Sequence, residues 1–170
     1  GSSNHAIGRS ALFTSVTAVA NIGIGGNALY YNKTGCYNNA MGCGNLLYNT
    51  TGSCNNAIGK AALFSNTTGS CNVAIGYDAL YSNLSGDFNF AAGRSALYSN
   101  WGGCYNAAIG RLALKENTTG CYNVAIGDYA AACSTTSWNN VAIGSGALKN
   151  FVGSGTSGLN VAIGASARIC

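Results

Sequence analysis

An asparagine recurs at a fixed interval along this chain of 170 residues. Nine copies follow one another every 17 residues and a tenth comes after 20: Asn4, Asn21, Asn38, Asn55, Asn72, Asn89, Asn106, Asn123, Asn140 and Asn160. A constant period sets the architecture before any local propensity does, because every copy folds as the same unit. We number the unit from 1 at the lead Asn, and its consensus is N-x-A-I-G-x-x-A-L-(Y/F)-x-N-x-T-G-x-(Y/C).

The repeat predicts an all-β fold. Helical repeats run to about 33–47 residues, and glycine costs roughly 1 kcal/mol in a helix, whereas this unit carries Gly at position 5 and usually at position 15. One coil of this length cannot bury its apolar side, so a stack of coils is the folding unit. We therefore predict a parallel β-solenoid (a β-roll or β-helix) of about ten coils, with residues 1–170 forming a single repeat domain.

Positions 1–4 are predicted to form one strand and positions 8–10 a second. Position 3 is Ala in nine copies and Gly23 in the other, and position 4 is Ile except at Met41 and Ala92. This pairing predicts close backbone approach at the small residue and core filling by the large one. Position 5 is always glycine, which predicts a positive φ or contact with another backbone: Gly8, Gly25, Gly42, Gly59, Gly76, Gly93, Gly110, Gly127, Gly144 and Gly164.

Stacked coils place equal positions about 4.8 Å apart, so asparagines in register are expected to form an amide ladder. The Asn at position 12 and the Gly at position 15 are typical of type I turns. Five of these asparagines are followed two residues later by Thr or Ser, which also makes them candidate glycan-attachment sites: Asn32, Asn49, Asn66, Asn83 and Asn117.

Eight cysteines favour an oxidising exterior, with free buried thiols as the alternative. Cys54 and Cys71 share position 17, and Cys104 and Cys121 share position 16, so each pair is a candidate disulfide between adjacent coils. Cys133 and Cys170 share position 11 but lie two coils apart. These two are too far apart to pair with each other within the chain, and the pattern assigns no particular partner to Cys36, Cys43, Cys133 or Cys170.

Residues for catalysis are scattered, so we predict no catalytic, metal or cofactor site. The one histidine is His5, and the acids Asp78, Asp87, Glu116 and Asp128 stand at different repeat positions. Cations recur at position 6, and Asp128 continues that column, which predicts a water-facing surface, with binding of anionic glycans as the alternative: Arg9, Lys60, Arg94 and Arg111.

Charged residues make up only 7% of the chain, and the net charge of +4 forms no basic run. We therefore predict no binding to nucleic acid. Because no apolar stretch approaches the roughly 18 residues needed to span a bilayer, we also predict no membrane insertion. The residues added before Asn160, between Phe151 and Leu159, are expected to form a surface loop, with a binding face as the alternative.

The motif N-x-A-I-G-x-x-A resembles the head repeats of trimeric autotransporter adhesins. The longer form, N-T-T-G-x-Y-N-x-A-I-G-x-x-A-L-Y-x-N, is similar to repeats of bacteriophage tail fibres. The resemblance covers nearly the whole chain and implies a parallel β-roll, possibly left-handed, in a surface-exposed fibre that is commonly a homotrimer. The adhesin heads repeat in shorter units than this chain does.

These observations predict a non-enzymatic structural or adhesive fibre segment, outside the cell or on a virion. One alternative is a subunit of a self-polymerising extracellular filament, and a weaker one is an ice-binding solenoid. The main partner predicted is another copy of the chain, in a homotrimer or an end-to-end polymer. Surface glycans are a further candidate. Gly1 falls on position 15 and Cys170 on position 11, which predicts continuation coil on coil.

Overall fold

The structure, a computed structural model, describes residues 2–151 and 158–168. These residues form ten short strands and no helix: β1 His5–Ile7, β2 Ile22–Ile24, β3 Asn39–Met41, β4 Asn56–Ile58, β5 Val73–Ile75, β6 Phe90–Ala92, β7 Ala107–Ile109, β8 Val124–Ile126, β9 Val141–Ile143 and β10 Val161–Ile163. The strands make one parallel sheet in chain order from β1 to β10. Each coil contributes one strand, which confirms the predicted all-β solenoid.

Neighbouring coils stack in register. In β4 and β5, for example, Ala57 pairs with Ala74 and Ile58 with Ile75. The longer interval before the last coil does not disturb this order, because Val141 of β9 pairs with Val161 of β10. Equal repeat positions therefore form continuous columns along the stack.

The second predicted strand, at positions 8–10, is wrong. Positions 6–11 form a turn, as at 77–82, and positions 7 and 9 adopt left-handed backbone, with φ of 55° at Asp78 and 51° at Leu80. Coils are still hydrogen-bonded here, since the Leu80 N–H donates to the Ala96 carbonyl at 2.9 Å. Left-handed residues curl the chain, which closes the coil where an extended strand would have continued straight.

The core is a narrow stack of alanines and leucines. In coils 2–9 the alanines at positions 3 and 8 and the leucines at position 9, such as Ala74, Ala79 and Leu80, are buried. They face each other closely: a Cβ added to Gly23 would lie 3.4 Å from the Leu12 Cγ. Alternation along the strand then turns the position-4 isoleucine outward. The expectation that this isoleucine fills the core is therefore wrong, because alanine is what fits opposite leucine.

The invariant glycines at position 5 satisfy both predicted conditions. Gly76 has a φ of 131°, and a Cβ placed on it would lie 2.7 Å from the Gly93 carbonyl oxygen of the next coil. Such a distance is far inside ordinary van der Waals contact. Backbone packs directly on backbone along this column, which leaves no room for a side chain.

The predicted amide ladder is present at position 1. The Asn72 backbone N–H donates to the Asn55 Oδ1 at 3.0 Å. Its Nδ2 donates to the same oxygen at 3.2 Å and to the Gly86 carbonyl at 2.8 Å. Since Asn72 is fully buried, these bonds replace those it would otherwise make with water.

A second amide ladder runs along position 12. The Asn66 Nδ2 donates to the Asn49 Oδ1 at 2.7 Å and to the Gly69 carbonyl at 2.9 Å. In a hydrogen-bonded type I turn the Gly69 N–H would donate to the Asn66 carbonyl. It donates to the Leu84 carbonyl of the next coil. The Asn-Thr-Thr-Gly segment is therefore a bend that a side chain closes, which explains why Asn and Gly recur together.

Candidate functional site

The outward side of the sheet is formed by three columns, at positions 17, 2 and 4, which we call the sheet face. Positions 2 and 4 point away from the core because they alternate with the buried alanine at position 3. Position 17 precedes the strand in left-handed backbone, with φ of 57° at Tyr105 and 58° at Tyr122, and these two tyrosines are exposed.

Large apolar side chains stand on this surface without cover from the chain itself. Ile58, Ile75 and Ile109 are 40–44% exposed, in consecutive or nearly consecutive coils. Isoleucine is among the residues most often buried in folded proteins. A column that consists mostly of exposed isoleucines is thus unlike the scattered apolar residues of an ordinary surface.

Aromatic rings continue the apolar surface along position 17. Phe88 stacks on Tyr105 with ring centroids 4.9 Å apart, and Tyr105 stacks on Tyr122 at the same distance. The interplanar angles are 8° and 2°. Aromatic pairs contribute about 0.5–1.5 kcal/mol beyond the area that they bury, so this stacking stabilises one edge of the sheet face.

No charged side chain lies at positions 17, 1, 2, 3 or 4 of any coil. The Lys, Arg, Asp and Glu residues are at positions 6, 7, 9, 10, 11, 13 and 16: Arg9, Lys33, Lys60, Asp78, Asp87, Arg94, Arg111, Lys115, Glu116, Asp128, Lys149 and Arg168. Water-facing protein surfaces usually carry interspersed charged side chains. The sheet face has none in any repeat.

Side-chain volume on the sheet face is balanced within a strand. In β6 the large Phe90 stands at position 2 beside the small Ala92 at position 4, where the other coils have a large residue at position 4. Two polar residues of the face bond to each other, since the Asn39 Nδ2 donates to the Asn56 Oδ1 at 2.8 Å. The first feature keeps the surface even, and the second pairs amide groups that would otherwise point outward.

The column at position 6, beside the sheet face, carries the cations and is exposed as predicted. Arg111 bonds to both carboxylate oxygens of Asp128, at 3.0 and 2.9 Å. The Lys60 Nζ lies 5.5 Å from the centre of the Tyr77 ring. Desolvation raises the pKa of the neighbouring Asp78 carboxyl, although Lys60 and Arg94 act in the opposite direction. Charge pairing here is confined to the solvated flank.

The five candidate glycan-attachment asparagines all lie on the position-12 ladder and are completely buried. Glycans are attached through Nδ2, and in Asn49 and Asn66 this atom donates to the preceding asparagine and to a glycine carbonyl. Glycan attachment is therefore incompatible with the folded coil. These asparagines have a structural role, because their side chains close the bend by bonding to the glycine carbonyl three residues later.

The seven described cysteines are free thiols, so neither predicted disulfide is present, and Cys170 lies outside the described residues. In-register stacking keeps the Cβ atoms of a column about 4.8 Å apart, whereas a disulfide needs about 3.8 Å. Position 16 has another use: the Cys104 N–H donates to the Cys121 Sγ at 3.0 Å. Ser70 and Asp87 fill the same acceptor role in other coils.

Thiol reactivity tests this assignment. Burial raises the pKa of the Cys121 thiol, despite the opposing bond from the Cys104 N–H, while Cys43 is exposed. We expect iodoacetamide to modify Cys43 of the folded chain at least about tenfold faster than Cys121, because the thiolate is the nucleophile. Mass spectrometry of the peptides measures both rates. Modification of Cys104 and Cys121 only after reduction would show that the two thiols form the predicted disulfide after all.

The acidic residues, which stand at scattered repeat positions, do not form a cluster with one another in the structure. Asp128 pairs with Arg111, Glu116 approaches Lys115 at 3.5 Å, and the Asp87 carboxylate accepts the Ser70 N–H at 2.7 Å. Within residues 2–151 and 158–168 no cluster of three potential metal ligands occurs. No helix in that part of the chain could cross a bilayer. The absence of enzymatic activity stays a prediction.

The sheet face was not predicted, although the repeat contains a signal for it. Positions 17, 2 and 4 vary among apolar, small and amide residues, with the single exception of His5, and never carry a formal charge. Comparison of the chain with protein-family models, curated proteins and solved structures gives no match. The resemblance to adhesin heads and tail fibres therefore stays an expectation based on the motif.

Proposed function

We propose that this protein is a non-enzymatic segment of a structural or adhesive fibre, displayed on a cell or virion surface, in which copies of the chain pack side by side. The observation that carries the proposal is the charge-free sheet face, which extends through all ten coils. A rigid rod without a clustered set of reactive groups is suited to spacing and display. The resemblance to adhesin and tail-fibre repeats implies a homotrimer, so we expect three copies of the chain in the assembly.

The extent of the sheet face is adequate for such packing. Ten strands spaced by about 4.8 Å make it about 43 Å long, and the four residue steps from position 17 to position 4 make it about 13 Å wide. The resulting area of roughly 560 Å² is at the upper end for a monomer and of the order that each partner gives to a stable interface.

A second copy of the chain is the partner that fits this surface. Rows of side chains repeat along the face at the coil spacing, and another copy has rows at the same spacing. Two such faces can interlock along their whole length, as the ridges of packed elements do. A face without charges also excludes partners that rely on ion pairs.

Charges introduced on the sheet face are expected to separate the copies. We expect the wild-type chain to sediment as three copies and the double variant Ile75→Asp, Ile109→Asp to sediment as one. Two buried and unpaired carboxylates per chain would each cost several kcal/mol in the interface. Sedimentation velocity at several protein concentrations measures the change.

The matched control is Thr51→Asp with Ser85→Asp, which adds the same charge at the exposed position 14, also two coils apart and outside the sheet face. It should keep the wild-type mass, and far-UV circular dichroism should show that both variants remain folded. A milder variant, Ala107→Arg, gives a second test at position 2, where a long side chain can reach water. A wild-type chain that stays monomeric at high concentration would refute side-by-side packing.

A further inference from the structure

A groove runs along the stack outside the sheet face, between the columns at positions 11 and 13. It has a volume of about 450 Å³ and lies in coils 2–5. One wall is Tyr31, Tyr48 and Ser65, and the other is formed by Lys33, Thr50, Thr67 and Leu84. The buried Asn ladder of position 12 lies between the two columns, so the groove has a fixed base. Its volume is within the range of small-molecule sites, about 300–1,000 Å³.

The groove exists because aromatic residues end partway along column 11. Tyr31 stacks on Tyr48 with centroids 5.4 Å apart and planes at 5°, and Phe64 meets Tyr48 edge-on at 5.3 Å. The next residues of the column are Ser65 and Ser82. No ring of column 11 continues the stack beyond Tyr48, which leaves space about one coil high, roughly 4.8 Å. The flanking contacts hold Tyr48 in place while it remains 44% exposed.

The groove walls are mainly apolar with a few unpaired polar groups. The Thr50 hydroxyl donates to the Thr67 carbonyl at 3.0 Å, and the Thr67 hydroxyl donates to the Leu84 carbonyl at 2.8 Å. Those hydroxyl hydrogens are therefore used within the coil stack. The Ser65 hydroxyl and the Lys33 ammonium have no such bond among the described residues and remain available. A ligand for this groove needs an apolar face and a polar edge, which is the character of a pyranose ring.

Among the described residues that line the groove, Lys33 is the one that carries a charge. Lys33 takes part in neither of the two ion pairs found in the described part of the chain. Asp78 is the first of the four acidic residues along the chain. The first four coils therefore contain no Asp or Glu, and their only charged residues are Arg9, Lys33 and Lys60. Lys33 is thus a cation without a carboxylate in its own or either adjacent coil. Charge complementarity favours a ligand that carries an acidic group.

We propose that the groove binds an acidic saccharide, with a pyranose ring packed against Tyr48 and its carboxylate or sulfate directed to Lys33. This assigns a ligand class to the adhesive part of the proposed function and rests on that function for its biological setting. Binding itself needs one chain only, because no residue of the groove belongs to the sheet face. The same cation accepts a carboxylate or a sulfate, so the experiment includes both.

The test uses the wild-type protein on an immobilised panel of oligosaccharides that carry glucuronate, sialate or sulfate, each beside its neutral parent. Biolayer interferometry should detect binding to at least one acidic member, at least about threefold tighter than to its neutral parent. Tyr48→Ala should weaken that binding about tenfold, because it removes the aromatic contact. Lys33→Ala should abolish the preference for the acidic member, and added salt should have the same effect.

Matched controls keep the chemistry and change the place. Tyr98→Ala removes a stacked tyrosine outside the groove, and Lys60→Ala removes a cation at position 6; both should bind like the wild type. Absence of binding to every acidic member, equal binding to the neutral parents, or binding unchanged in both Tyr48→Ala and Lys33→Ala would each overturn the proposal. Sedimentation of the same samples separates the two proposals: trimers that do not bind refute the groove site, and monomers that bind refute side-by-side assembly.

Discussion

Gly76→Ala is expected to destabilise the folded chain by about 3–5 kcal/mol. The new Cβ would lie 2.7 Å from the Gly93 carbonyl oxygen, and the atoms around it are backbone, which cannot rotate away. The residue would also hold a φ of 131°, which costs a non-glycine residue about 1–3 kcal/mol. Overpacking adds a similar amount. Urea denaturation followed by circular dichroism, at a single protein concentration, gives the difference in the free energy of unfolding.

Gly44→Ala is the matched control for this substitution. Gly44 also has a positive φ, of 70°, but a Cβ there would meet only the Phe64 ring, at an ordinary distance of 3.5 Å. The equivalent residue of the next coil is Ala61, with a φ of 56°. The cost should therefore stay within about 1 kcal/mol. Equal losses in the two variants would show that backbone contact between coils is not what excludes side chains at position 5.

Asn66→Asp is expected to cost about 3–5 kcal/mol at neutral pH, although the two side chains have the same shape. The substitution replaces the Nδ2 donor by an oxygen that faces the Asn49 Oδ1 and the Gly69 carbonyl. It also places a carboxylate where the asparagine is completely buried. Both a lost donor and an uncompensated buried charge are costly. The free energy of unfolding measured against pH gives the result.

The pH dependence of this variant has a defined sign. Burial raises the pKa of the introduced carboxyl above its value in the unfolded chain. The folded variant therefore binds protons more readily than the unfolded one, and its deficit relative to the wild type should shrink as the pH falls through the raised pKa. Asn27→Asp is the control, because position 7 is half-buried and already holds Asp78 in another coil. A loss as large in the control would argue against the buried ladder.

The period allowed much of the architecture to be predicted. Stacking in register follows from constant spacing, and the glycines of position 5 and the asparagines of position 1 have the roles that the repeat indicated. Each of these residues interacts with its own counterpart in the next coil, as Gly76 does with Gly93. Contacts between equal positions can be predicted from the repeat alone, because the residue at a position in one coil packs against the residue at the same position in the next coil.

The orientation of the strand and the path of the turn were beyond the same reasoning. Ala74 and Ile75 are both apolar, so hydrophobicity does not distinguish the inward from the outward side. The answer depends on the opposite wall, where Leu80 leaves space for alanine alone. Leu80 itself is in left-handed backbone without glycine to signal it. The groove was equally hidden, because it arises where Tyr48 is followed by Ser65, a difference between coils that a consensus removes.

The identity of hydrogen bonding from coil to coil has a consequence for how such a protein can change during evolution. Duplication or loss of one whole unit leaves every column continuous, whereas a gain or loss of fewer residues leaves one coil unequal in length to its neighbours. From β9 to β10 the interval is 20 residues, and the strands still pair in register; residues 152–157, where the added residues were predicted to form a surface loop, lie outside the described residues. The length of the rod therefore changes in steps of whole coils. A lineage that carries this repeat can alter the reach of the rod in increments of about 4.8 Å, without redesigning a single contact.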